Sequence, residues 1–325
     1  MKKKYAILFP VIALVLISCN DGNKQQVISQ RYVHKYGYDV SREEWKAESY
    51  PGHVLTTLRD GKSITEPYED GLIHGARTET YPHSQTIQTL EQYEKGNLIK
   101  RISYTVRGVP QREELFKAEN HIVITTWYPN GTPKSNEEFR DNILINAQYL
   151  NTSNETDSRI ENGTGERTIR NQSGDILAKE VFNNYLLSYV ETYYPNNTPH
   201  TTVSYENNLL HGERKEFAMT GEPISVESYY KGLKHGLSTY YQNGYKYSEI
   251  PYAHGFKNGI ERHYIDGEII VEETEFHDGI KQGSSVLYCD GSAKTTWYFE
   301  NHIVSRPKYE QLIERHELIM GMQQK

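Results

Sequence analysis

The chain has 325 residues and a formal net charge of −7, with 24% of its residues charged. Hydrophobic residues reach only 36%, too few for two thick globular cores, yet 27 tyrosines and an aromatic content of 12% exclude a disordered chain. The acidic balance also disfavours nucleic acid as a partner, because it repels phosphate.

Lys2, Lys3 and Lys4 precede an apolar stretch from Ala6 to Ile17. That stretch is too short for an ordinary spanning helix, which needs about 17–25 residues. It has the length of a signal-peptide core. It ends in Leu16-Ile17-Ser18-Cys19, which resembles the lipobox of bacterial lipoproteins. The resemblance implies a signal peptide over 1–18 and acylation of Cys19, with palmitate among the expected chains. Two or more acyl chains anchor a protein stably to a membrane. Loss of the three lysines takes the net charge from −7 to −10. Asn20 after the cysteine favours the outer membrane, on its periplasmic or surface side, if the bacterium has two membranes.

Residues 19–49 are expected to form a membrane tether followed by an N-terminal cap. Asn20 to Gln26 reads as the tether. Ser41 and Glu44 have the spacing of a capping box, and Trp45 is placed to pack on the first hairpin.

From 50 to 305 the sequence repeats. Tyr205-Glu206-Asn207-Asn208-Leu209-Leu210-His211-Gly212 aligns with the segments that begin at Tyr229, Tyr252 and Phe276, and with an upstream copy at Tyr68. The phase is carried by Tyr68, Tyr93, Phe116, Phe139, Phe182, Tyr205, Tyr229, Tyr252, Phe276 and Tyr298, at intervals of 22 to 25. One interval of 43, from Phe139 to Phe182, predicts a degenerate copy inside it. Each unit carries two turns. The turn positions are Gly71, Gly75, Gly131, Gly212, Gly232, Gly236, Gly244, Gly255, Gly259, Gly267, Gly279, Gly283 and Gly291. Asn130-Gly131, Asn243-Gly244, Asp266-Gly267 and Asp290-Gly291 suit two-residue hairpin turns, which need positive φ at both positions. A turn every 11 to 13 residues leaves room for one strand between turns. The expected fold is therefore all-β: an elongated, single-layer antiparallel meander of β-hairpins, with a period of about 23 residues.

These motifs resemble the MORN-type repeat, in the bacterial variant found in YwqK-like antitoxin family proteins. The likeness covers roughly residues 65 to 305 and is sharpest where Gly232, Gly236 and Gly244 fall in order. It implies stacked hairpins in a twisted sheet and no catalytic residues.

Several residues invite a chemical reading. His74, His211 and His235 recur just before the second glycine. Equivalent positions lie two strands apart, roughly 9–10 Å, too far to share a zinc ion without further ligands. They read as repeat consensus, and no metal or cofactor is assigned. The glycines are followed by strands, whereas a phosphate-binding loop needs a helix N-terminus. Cys289 reads as an incidental turn cysteine, and the carboxylates read as a solvated face. No catalytic site is assigned.

At the far end, Tyr309, Leu312, Ile313, His316 and Met320 have helical spacing. Residues 306–325 are expected to form a short capping helix over the last strand edge, with partner binding as its rival role. The sequence thus predicts a non-enzymatic, lipid-anchored envelope scaffold that binds a protein or envelope component through its repeats. An antitoxin-like component neutralising a partner toxin is the alternative. Tyr229, Tyr252, Phe276 and Tyr298 are expected to line up as one aromatic row, joined by Tyr193, Tyr240 or Tyr241, Tyr264 and Tyr288 on intervening strands.

Overall fold

The computed structural model describes residues 27–323, with side chains as far as residue 319. The signal segment, Cys19 and the tether therefore lie outside the described residues. Among the described residues there are 28 strands and two helices, and the observed pairings are antiparallel and mostly between neighbours in sequence. Contacts divide the chain into two units, residues 1–97 and 98–325.

In the first unit, strand Val27–His34 pairs with Gly52–Leu58 and, through Tyr32 and Val33, with the two-residue stub Asp39–Val40. The chain then enters helix α1, Arg42–Glu48. Its capping box forms as the spacing predicts. The Glu44 N–H donates to the Ser41 hydroxyl, and the Ser41 N–H donates to the Glu44 carboxylate. Trp45 is buried, with its ring centroid 5.6 Å from that of Tyr32 and 6.0 Å from that of Tyr68. The short helix thus holds one aromatic over the start of the repeat. Val54 and Leu58 of strand Gly52–Leu58 are also buried.

In the second unit the meander runs from the strand pair at Lys100–Tyr104 and Pro110–Leu115 to the stub His302–Val304. The degenerate copy is present. Strands Ile143–Leu150, Thr156–Glu161 and Thr164–Arg170 fill the long interval, and Ile160, only 1% exposed, stands where other units carry an aromatic. It packs with Ala147 and Tyr149 in a cluster that Leu144 and Phe182 flank.

The two turns of a unit differ in kind. The first is a two-residue hairpin, as at Lys231 (φ 50°) and Gly232 (φ 85°). The second has that form at Asn243-Gly244 and Asp290-Gly291; at Asp266-Gly267 the expectation is corrected, because Ile265 pairs with Ile269 across a three-residue loop, and Asn130-Gly131 differs again. There only Gly131 has positive φ. Its N–H donates to the Tyr128 carbonyl, and the Tyr128 N–H donates to the Thr132 carbonyl. The same pair of hydrogen bonds closes the turns at Thr105–Val109 and Ala218–Glu222, where Val106 and Met219 stand in the place of Pro129, so this form is a general second turn of the repeat.

Helix α2, Arg306–Gln323, follows the last stub. The Tyr309 ring lies 5.0 Å from Trp297, and the Arg306 guanidinium lies 5.6 Å from the same ring. Trp297 projects from a face of strand Ser292–Phe299, so the helix packs on that face of the sheet. Tyr309, Leu312 and Ile313 are its half-buried side chains, while Leu318 and Ile319 remain exposed. Among the described residues, no helix is long and apolar enough to cross a membrane.

Candidate binding face

The repeat positions interlock through backbone and side chain together. The second residue of three consecutive first-type turns donates its N–H to the preceding unit: Gly232 to Leu210, Gly255 to Lys234, and Gly279 to Lys257, at 2.8 to 2.9 Å. The first turn residue donates to the side chain just before the second glycine. His254 N–H reaches His235 Nδ1 (3.5 Å), Lys95 reaches His74 Nδ1 (3.3 Å), and Glu300 reaches Gln282 Oε1 (2.9 Å). The degenerate copies keep the contact with Asn146 and Thr164 as acceptors for Asn162 and Asn184. This is what two of the recurring histidines do: His74 and His235 each supply an acceptor for the next turn. His211 differs, lying against Tyr230 and within 2.8 Å of Glu206.

The second glycine has a steric role. A Cβ on Gly259 would come within 3.0 Å of the Pro251 ring, and those on Gly212 and Gly236 would lie 3.4 Å from Ser204 and Ser228. Across the ladder the same glycines face aromatics: Gly212 pairs with Tyr229, Gly236 with Tyr252, Gly259 with Phe276 and Gly283 with Tyr298. At Gly212, Gly236 and Gly259 the atoms an added Cβ would meet belong to these serine and proline side chains, so glycine here leaves room for them. Strand alternation places all four rings on one face of the second unit, as the repeat phase predicts.

Three lysines tie this row together. Lys234, Lys257 and Lys281 each follow a turn glycine by two residues and pair with the aromatic of their own hairpin. Each ammonium then reaches the ring of the next unit: Lys234 lies 5.1 Å from Tyr252, Lys257 lies 4.9 Å from Phe276, and Lys281 lies 5.0 Å from Tyr298. A cation over an aromatic face is attracted by the ring quadrupole. All seven side chains are half-buried, so the row is partly open to solvent.

Carboxylates complete the face. Glu227 is buried and accepts from Lys234 (2.6 Å), Arg214 (3.2 Å), Tyr229 (3.0 Å) and Tyr240 (3.0 Å). Burial alone would raise its pKa, but the Lys234 and Tyr240 hydrogen bonds win and lower it. Burial, helped by the carboxylate, pushes Tyr240 up to about 12. Burial would lower Lys234, yet its bonds to Glu227 and Tyr240 hold it above the ordinary ammonium range. The same arrangement recurs in the first unit, where Arg77 bridges Glu66 and Glu91. It recurs again where Arg167 bridges Glu137 and Glu180.

The intervening tyrosines split between faces. Tyr240 shares the row's face through Glu227. Tyr264 and Tyr288 lie on the opposite face, where their hydroxyls donate to Glu249 and Glu273. The expectation that they join the row is corrected. A strand has period 2, and Tyr264 directly follows His263, which points the other way. Cys289 sits exposed in its turn, 3.6 Å from the Asp290 carboxylate. Sequence reasoning missed the lysines and the Arg–Glu bridges. A signal was available in Gly-x-Lys-x-Gly, repeated at 232, 255 and 279.

No protein-family model matches the chain, and no curated protein matches it.

Proposed function

We propose that this chain is a non-enzymatic, lipid-anchored envelope protein, related to MORN-type repeat proteins, whose sheet serves as an interaction scaffold. The lipobox-like Leu16-Ile17-Ser18-Cys19 supports the anchor. The observation that carries the scaffold reading is the lysine–aromatic row from Tyr229 to Tyr298, half-buried over four consecutive units. Lys234 and Lys257 already pair with Glu227 and Glu261, and these pairs hold the surface in shape. The rings supply flat, amphipathic contact area of the kind enriched at interfaces. The ligand class is an extended protein segment or envelope polymer laid along the row.

The test is capture of envelope components by the full chain and by Tyr298→Ala and Phe276→Ala variants. Loss of capture with unchanged thermal unfolding supports the reading. If every aromatic substitution merely unfolds the sheet, the face is a core and the proposal fails. Palmitate labelling that persists in Cys19→Ala would remove the anchor.

A further inference from the structure

A second surface of the second unit lies along the column of first-type turns. After three consecutive turn glycines the next residue is apolar and exposed: Leu233 at 52%, Phe256 at 58% and Ile280 at 40%. These side chains form a ridge. A Cβ on Gly255 would lie 3.7 Å from Leu233, and one on Gly279 would lie 3.3 Å from Phe256, so each side chain rests beside the next turn. The turn-to-turn hydrogen bonds fix the pitch at two strands, about 9–10 Å.

The charges along this ridge are graded. The first turn residue is Lys231 beside Leu233, His254 beside Phe256, and Asp278 beside Ile280. Lys231 and Asp278 are both exposed; the Lys231 ammonium lies over the Tyr230 ring, and Asp278 accepts from Asn258. One end of the ridge is therefore basic, the other acidic, and Phe256 marks the middle.

From this we infer that the ridge is a homodimer interface, in which two copies lie antiparallel about a two-fold axis through Phe256. Both ridges have the same pitch by construction, so apolar side chains meet in register. Leu233 of one copy faces Ile280 of the other, and the two Phe256 rings meet at the axis. Lys231 then faces Asp278 twice, once on each side, as an isologous contact requires. A parallel arrangement would set Lys231 against Lys231 and Asp278 against Asp278, and like-charge juxtaposition suppresses it. This interface is separate from the aromatic row and does not depend on what binds there.

The test uses the full chain in mild detergent, in a Cys289→Ser background that itself shows no cross-link on oxidation. Phe256→Cys alone is expected to give a disulfide-linked dimer. Leu233→Cys and Ile280→Cys are expected to cross-link only when mixed. Sedimentation should show dimerisation weakened about tenfold by Lys231→Glu and restored when Asp278→Lys is added, because charge pairs at an interface are exchangeable in sign. A chain that sediments as a monomer, a Leu233→Cys dimer formed without its partner variant, or a charge swap that fails to restore dimerisation would each overturn the inference. So would protection of the Phe256→Cys thiol by phosphatidylethanolamine–phosphatidylglycerol vesicles instead of by a second copy.

Discussion

The Lys257 ammonium lies 4.9 Å from the centre of the Phe276 ring, one repeat beyond the hairpin that carries it, and it also pairs with Glu261. One side chain thus joins two successive hairpins by two different interactions. Glu261 is only 8% exposed, so removing the cation leaves a buried carboxylate with only the His263 imidazole, 3.2 Å away, beside it. Lys257→Met, which keeps the apolar stem, is expected to lower stability by about 1–3 kcal/mol. Urea unfolding measures this, and an unchanged midpoint would mean that the row contributes nothing to the stacking.

The histidine acceptors give a second expectation. His235→Ala removes the acceptor for the His254 N–H, at a cost of about 1 kcal/mol. His235→Asn keeps an acceptor of the kind that Asn146 supplies to Asn162, and should retain most of the stability. Hydrogen exchange at the His254 amide reports the contact directly. Faster exchange in the alanine variant and near-normal protection in the asparagine variant are the expected results.

Gly259 and Gly291 separate steric from conformational roles. Both have positive φ, 112° and 75°, but they differ in what an added Cβ would meet. At Gly259 it would meet the Pro251 ring at 3.0 Å, and at Gly291 it would point into open space. Gly291→Ala should cost only the left-handed strain, about 1 kcal/mol. Gly259→Ala adds a clash inside the ladder and should cost clearly more. Equal shifts in the unfolding midpoint would contradict the steric account.

Glu138 sets a pH dependence. Hydrogen bonds from Asn146 and His121, with Lys117 nearby, lower its pKa from 4.5 to about 2. The folded state therefore binds this proton more weakly than the unfolded chain does. The stabilisation is fully present above the ordinary carboxylate range and is lost as pH falls from about 4.5 to about 2. Glu138→Gln should flatten the stability profile in that window relative to the parent, as acid-titrated urea unfolding would record.

By itself, the sequence determined the strand-and-turn rhythm of this protein. Positive φ at paired turn residues favours glycine, asparagine or aspartate, and a turn pair ending in glycine recurs visibly at Asp70-Gly71, His254-Gly255 and Asp278-Gly279. The Ser41–Glu44 capping box was legible for a similar reason, because it needs only residues three apart. The hidden copy was legible from the interval alone, although Ile160 in place of an aromatic was not. What only the tertiary structure decided lies across strands. Lys234 reaches Tyr252 and Arg214 reaches Glu227 because register sets them side by side, 18 and 13 positions apart in the chain. At Tyr128–Thr132 the chain takes the turn also seen at Thr105–Val109 and Ala218–Glu222, which the Asn-Gly pair alone misrepresents. The two-residue period sent Tyr264 and Tyr288 to the face opposite the row. Local φ preferences are written residue by residue, whereas face and partner depend on register, and a one-residue shift exchanges the two faces of a strand.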